Sequence, residues 1–417
     1  MSGKIITFGC RLNTYESEIM RPFVENSAEE ILVFNTCAVT AEAERQARQA
    51  IRKARRDNPN AKIIVTGCSA QIKASIYEGM PEVDRVLGND DKLHAKNYLF
   101  DFQNDEKAIV NDIMSIKETA GHLISNFEGR SRAFIQVQNG CNHRCTFCVI
   151  PYGRGNSRSV PIGDVVKQVT LLVEQGYNEI VLTGVDITSY GEDLPGSPTL
   201  GQMVKRVLAL SPDLTRIRIS SIDSIETDED LFDLVENEPR LMPHFHLSLQ
   251  AGDDMVLKRM KRRHLRQDAI EICEAFRKKR PDIVFGADII AGFPTETEEM
   301  FKNTLDIVER CDLTYLHVFP YSARPGTPAA RMPQVKADEI KDRAQRLREL
   351  GKKQLDIFMK AQIGKNVDVL VESEKQGRTE HYAVVDLTSH TISEASIGKI
   401  FPMKVIGVEN EKLITVL

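Results

Sequence analysis

Three stretches near the amino terminus share one pattern. KIITFGC (4–10), ILVFNTC (31–37) and KIIVTGC (62–68) are short runs of mostly apolar, β-favouring residues, and each closes on a cysteine. Segments Tyr15–Val24 and Glu42–Arg56, after the first two, are polar and helix-prone. Strand then helix, repeated, selects a parallel sheet, because parallel neighbours need a crossover between them. In open parallel sheets the ligand crevice lies beyond the carboxyl ends of the strands. Cys10, Cys37 and Cys68 all stand at that place, so the topology predicts that they converge. One such cysteine would mean little, since buried free cysteine is common.

Residues 101–131 are polar and read as a linker with one edge strand. A second series follows, with strands expected at Ala133–Gln138, Glu179–Thr183, Arg216–Ser220, His244–Leu249, Ile283–Ile290 and Thr314–Phe319. Amphipathic helical stretches at 163–175, 199–210, 228–237, 254–279 (broken) and 296–311 separate them. Six βα units at this spacing predict a partial or complete TIM-like (β/α)6 barrel, with its site at the carboxyl-terminal rim. Residues 337–361 read as one long charged helix. Val367–Glu372, His381–Leu387, Ile400–Val408 and Lys412–Val416 then read as short strands. They predict a small closed β-barrel of the oligonucleotide-binding sort, or a structural cap on the larger barrel. The fold class is thus α/β, divided as 1–115, 127–357 and 360–417.

The loop after the first strand of the second series reads GCNHRCTFC, residues 140–148, with Cys141, Cys145 and Cys148 within eight positions. A structural zinc site and a 4Fe–4S cluster both want four ligands. Three thiolates hold three corners of a 4Fe–4S cube and leave the fourth iron open, as a catalytic metal is left open. His143 is expected as a solvent-side loop residue rather than a ligand. The start, MSGKIITFGC, lacks a signal-peptide core, and no apolar run approaches a membrane span, so a cytoplasmic protein with no membrane partner is expected. There, eight cysteines point to metal or redox chemistry rather than to disulfides. Net charge is −5, yet residues 44–56, 258–266 and 343–360 are basic. They are either solvated helix faces or part of a local polyanion site. No GxGxxG, Walker or HExxH motif occurs. Cys273 and Cys311 are expected in the core.

The GCNHRCTFC loop resembles the signature of the radical S-adenosylmethionine superfamily. That resemblance implies that the amino and carboxylate groups of S-adenosylmethionine chelate the fourth iron, and that one electron from the cluster yields a 5′-deoxyadenosyl radical. It implies cofactor contacts from Phe147, from Gly184 and Asp186 in LTGVD, from Ser220 and Gln250 at strand ends, and from Ile290 and Gly292 in DIIAGFPTET. Val185 stands where the superfamily usually has an acidic residue, and Asp186 is the nearest substitute. The order of Cys10, Cys37, Cys68, then Cys141, Cys145, Cys148, then a small β domain resembles the methylthiotransferases over essentially the whole chain. In that family a second, auxiliary cluster carries the sulfur, two S-adenosylmethionine molecules supply methyl and radical, and the last module is a TRAM-type RNA-binding barrel. Two 4Fe–4S clusters, S-adenosylmethionine, and an electron donor such as flavodoxin or ferredoxin follow from the resemblance; the sulfur donor does not.

NTCAVTAEAERQARQAIRKARR, IPYGRGNSRS and GCRLNTYESE most resemble the branch acting on N6-threonylcarbamoyladenosine beside the anticodon of tRNA. The carboxylate of that base calls for a cation, with Arg154, Arg158 and Arg324 as candidates. Isopentenyladenosine in tRNA and an aspartate of a ribosomal protein are the other family substrates. An iron–sulfur electron carrier and a zinc-containing RNA-binding protein are the competing classes. A carrier predicts four-cysteine sets, and this chain has two sets of three.

Overall fold

The structure, a computed structural model, describes residues 3–100, 106–118, 123, 124, 126, 127 and 129–416. The rest of the 101–131 linker lies outside the described residues. The amino-terminal sheet has five parallel strands in consecutive order: β1 Lys4–Thr7, β2 Ile31–Thr36, β3 Lys62–Gly67, β4 Arg85–Leu87 and β5 Ala108–Ile109. Every residue of β2 is buried, as a strand covered on both faces requires. Alternate side chains serve opposite layers. Ile31, Val33 and Ile64 pack with Met20 and Val24 of helix α1, Arg11–Glu25. Leu32, Phe34, Ile63 and Val65 pack with Ile51 of helix α2, Ala41–Asp57.

The central strands are β6 Ala133–Gln136, β7 Glu179–Thr183, β8 Arg216–Ile219, β9 His244–Gln250, β10 Val284–Ala291 and β11 Leu313–Pro320. β6–β8 form one parallel sheet and β9–β11 another. Parallel bridges Ile217↔Leu241 and Ile222↔Leu247 join them into an arc of six. Among the described residues β6 and β11 do not pair, so the barrel is partial. Tyr15 and Ile19 of α1 enter the same apolar core as Ala133 and Ile135, which seats the amino-terminal sheet against the β6 edge. The expected 254–279 helix breaks at Lys261, whose φ of 60° is left-handed.

The helix Ala337–Lys360 lays Ala344 and Leu347 on the barrel core and ends with Met359 in the core of the last module. There β12 Asn366–Ser373, β13 Gln376–Arg378, β14 Val384–Asp386, β15 Ile400–Glu409 and β16 Lys412–Val416 close a barrel in the order β12-β13-β14-β16-β15. This small barrel sits at the amino ends of the central strands. Arg218 donates to Thr379 O at 2.9 Å and to Glu380 O at 2.8 Å, and His244 stacks on Tyr382 at 5.2 Å. Beneath them Glu179, fully buried, accepts from Arg132 at 2.7 Å and from Arg218 at 2.9 Å. No helix among the described residues is long and apolar enough to cross a membrane.

Candidate active site

Level strand ends place the first cysteine set. Thr7 is in register with Asn35, and Thr36 with Gly67. Neighbouring strands lie about 4.8 Å apart, so three adjacent chains leave one sheet edge together, and Cys37 and Cys68 follow the Thr36–Gly67 pair directly. Gly9 makes the approach close: its φ is 95°, and a Cβ there would stand 2.9 Å from Cys37 Sγ. Cys37 and Cys68 are buried and Cys10 is exposed. Burial pushes the Cys37 thiol up to about 11, and charge on Cys68 or Cys10 would push it the same way.

The second set rides on the loop after β6. The backbone N–H groups of His143 and Ile150 donate to Cys141 Sγ at 3.3 Å and Cys148 Sγ at 3.4 Å. Arg262 Nη1 lies 3.7 Å from Cys145 Sγ. Such donors favour sulfur that carries negative charge. Burial pushes the Cys148 thiol up to about 12 and raises that of Cys141 as well, where Asp186 adds its charge. Thiols this reluctant to ionise alone are discharged by a bound cation, which releases their protons. Donors on all three loop sulfurs suit a cluster held there by thiolates, and the level strand ends bring Cys10, Cys37 and Cys68 to one sheet edge.

Cys10 from the sheet edge and Cys141, Cys145 and Cys148 from the barrel rim line one cavity of about 380 Å³. Val39, Phe147, Ile150, Ile290 and Phe319 give it apolar wall. Arg262, Tyr321 and Arg324 also line it, and their Nε, Oη and Nε atoms are buried without a protein partner. Gln138 Oε1 accepts from the N–H groups of Val185 and Asp186, each at 2.9 Å, and so shapes the turn after β7. Asp186 then stands 3.6 Å from Cys141 Sγ and 2.9 Å from His143 Nε2. Burial opposes its charge, but the His143 contact holds its carboxyl below the usual range. His143 is half-buried and lines the cavity, contrary to its expected place on the solvent side.

Of the residues expected from sequence, Phe147, Asp186, Gln250, Ile290 and Arg324 line the cavity, and Gly184, Ser220, Gly292, Arg154 and Arg158 do not. Gly184 is packed away, since a Cβ there would meet Ile187 Cγ2 at 2.5 Å. Ser220 is buried, its N–H spent on Leu182 O at 3.1 Å. Gly292 backs onto Ile340, and its N–H donates to Glu296 at 3.0 Å. Arg154 is turned inward to Glu16 at 2.8 Å, and Arg158 to the carbonyl of Arg154 at 2.9 Å. Arg324 is paired with Glu44, which also binds Lys73 at 2.9 Å. Sequence reasoning missed Arg262 and its partner Asp223, 2.5 Å apart, because KRMKRRHLR reads as a uniform basic run.

Residues 135–308 match the radical SAM superfamily, and residues 3–88 match the uncharacterized protein family UPF0004. Over 407 residues, 97% of this chain and 95% of the relative, the sequence is 57% identical to threonylcarbamoyladenosine tRNA methylthiotransferase MtaB of Rickettsia prowazekii. The chain belongs to the radical S-adenosylmethionine methylthiotransferases. Membership in that family makes it an enzyme and brings a 4Fe–4S cluster and S-adenosylmethionine to the barrel. A further family member, the tRNA-2-methylthio-N(6)-dimethylallyladenosine synthase of Ehrlichia canis, is 34% identical over 388 residues, 89% of this chain and 88% of the relative. Among solved structures, the radical S-adenosylmethionine methyltransferase TsrM of Kitasatospora setae matches with a TM-score of 0.54 at 16% identity, over 77% of this chain and 67% of that one, a likeness of fold alone.

Proposed function

We propose that this methylthiotransferase converts N6-threonylcarbamoyladenosine, immediately 3′ of a tRNA anticodon, to its 2-methylthio derivative. The observation that carries the reading is that Cys10 and the three loop cysteines open on one cavity. Cys141, Cys145 and Cys148 hold the cluster that binds S-adenosylmethionine, and Cys10, Cys37 and Cys68 hold an auxiliary cluster. When bound, these groups supply reductive cleavage of the sulfonium, the methyl group and the sulfur. The chain's own residues bind and orient. Asp186, steadied by His143, would accept from the cofactor's amino group, and Arg262, which lines the cavity, would meet its carboxylate. Phe147 and Ile290 shelter the adenine from water. Arg324, paired with Glu44, is the one of the three arginine candidates that lines the cavity and is the cation for the carboxylate of the modified base. Hydrogen abstraction from a C–H bond needs no protein acid or base.

One basic run lies beside the mouth and another leads away from it. α2 begins beside the cavity-lining Val39 and Thr40 and runs back along the sheet with Arg45, Arg52, Lys53 and Arg56 exposed. Lys258, Lys261 and Arg263 are exposed on the segment to which Thr146 of the cysteine loop bonds, at Arg259 O and Met260 O. Such rims suit phosphates, and single-stranded loop bases are the reachable RNA targets. In the third run Arg343 is paired with Glu296 and Lys360 with Asp356, as Arg45 is with Glu42 and Arg263 with Glu226 in the other two. We take residues 1–115, 127–357 and 360–417 as the auxiliary-cluster, radical and RNA-binding modules, working in the cytoplasm with an electron donor such as flavodoxin or ferredoxin. The higher identity to the threonylcarbamoyladenosine relative, 57% against 34%, favours that substrate over dimethylallyladenosine. Incubating the reconstituted enzyme with each modified tRNA tests the choice: product from the dimethylallyl substrate alone would reverse it.

A further inference from the structure

Outside the cavity, next to the amino-terminal cysteines, lies a charged group that the chemistry above does not use. Lys92 is 0% exposed, and Glu16 and Arg154 are 2% exposed each. Lys92 Nζ donates to Glu16 Oε2 at 2.7 Å, and Arg154 Nη1 donates to Glu16 Oε1 at 2.8 Å. One carboxylate thus stands between two cations, and the trio carries one net positive charge in the interior. Asp91 turns its carboxylate to Asn111, Arg158 faces Asp90 and Asp193 as well as Arg154 and Glu16, and the opposite charges that act most on Lys92 and Arg154 are those of Glu16 and the cysteines. A buried excess charge is costly unless an opposite charge meets it.

Two asparagines show where that opposite charge belongs. Asn89 accepts from Lys92 at 2.7 Å and points its Nδ2 at Cys68 Sγ, 3.6 Å away. Asn13 accepts from Arg154 at 2.6 Å and donates to Phe8 O at 2.7 Å and Thr36 O at 3.1 Å, the carbonyls just before the Cys10 and Cys37 turns. The trio is therefore linked to all three cysteine turns. A 4Fe–4S core of two positive charges on three thiolates carries about one net negative charge, which matches the trio in size and opposes it in sign.

Resting on the two-cluster reading, we propose that Arg154, Lys92 and Glu16 are the built-in counter-charge of the auxiliary cluster, and that they set its reduction potential from behind while Asn89 and Asn13 fix its cysteines. All five are positioning residues. The net positive charge favours the more negative, reduced cluster and so raises its potential.

The test uses the full chain with Cys141, Cys145 and Cys148 changed to Ala, so that only the auxiliary cluster is loaded. Its midpoint potential is then followed by electron paramagnetic resonance during a redox titration. Lys92→Met is expected to shift the potential down, Glu16→Gln to shift it up, and Lys92→Arg to restore it. A purely structural trio would move iron content in all variants without opposite potential shifts, and that result overturns the proposal. If Lys92→Met takes up no cluster, Glu16→Gln against Lys92→Arg decides it alone. If the triple-alanine protein itself binds no iron, the two-cluster reading fails, an outcome distinct from failure of the counter-charge.

Discussion

Replacing Arg262 by methionine removes a guanidinium 3.7 Å from Cys145 Sγ and keeps an apolar stem in the wall. At an effective dielectric constant of about 20, two unit charges at that separation interact by about 4.5 kcal/mol. The electron added on reduction is spread over the cluster and Asp223 offsets part of the guanidinium charge, so at most about a third of that, about 1.5 kcal/mol, separates the two redox states. For a one-electron couple this corresponds to about 65 mV. The radical cluster of Arg262→Met is therefore expected to be about 65 mV harder to reduce, and 5′-deoxyadenosine formation about tenfold slower at limiting reductant. Arg262 also pairs with buried Asp223 at 2.5 Å and donates to Ser248 O at 2.7 Å. Stranding that carboxylate costs about 3–5 kcal/mol of stability. Asp223→Asn in the same chain also removes the stranded negative charge, so it should return much of the stability and part of the potential. A redox titration and a thermal melt of the three variants separate the two effects. Wild-type potential, within about 20 mV, in Arg262→Met would refute the electrostatic argument.

Cys68→Ala is expected to keep 5′-deoxyadenosine formation and abolish sulfur insertion, whereas Cys145→Ala abolishes both, and full activity in the first would remove the auxiliary cluster from the reaction. Glu179 is held down to about 2: burial opposes its charge, but Arg218 and Arg132 outweigh it. Because its folded value lies below the unfolded one, it contributes stability above about pH 4.5 that is lost as pH falls toward 2. Wild type should therefore lose a few kcal/mol more than Glu179→Gln across that window in acid denaturation. Removing residues 362–417 should weaken tRNA binding more than cleavage of S-adenosylmethionine, because the small barrel caps the strand ends opposite the cavity. Unchanged tRNA affinity in a filter-binding assay would make that module a structural cap only.

The central strands were legible almost to the residue, since each is an apolar or alternating run between helices of 3.6-residue period. β5 is the edge strand expected in the linker, whereas β4 and β13 escaped because they span three residues each, and Arg85 in β4 is buried by bonding distant carbonyls at 97 and 99 and stacking on Phe100. That cysteines from the sheet edge and the barrel rim meet was legible because thiol spacing and strand ends follow local rules. The arginines were not. Nothing in YGRGNSRS says that Arg154 turns toward Glu16, 138 residues earlier, and nothing in KRMKRRHLR separates Arg262 from its solvated neighbours. Side-chain charge names a chemistry, whereas its direction is set by packing between modules. The docking of Tyr382 on His244 is of the same kind, a contact between parts that the chain order leaves free.

The measurement that tests the central claim most directly is made on the reconstituted, reduced wild-type enzyme under strict anaerobiosis. S-Adenosylmethionine and tRNA bearing threonylcarbamoyladenosine are added, the RNA is digested, and the nucleosides are read by mass spectrometry. The account predicts a 2-methylthio nucleoside together with 5′-deoxyadenosine. Formation of 5′-deoxyadenosine with the nucleoside unchanged would contradict the assigned substrate, and absence of both would contradict the radical chemistry itself.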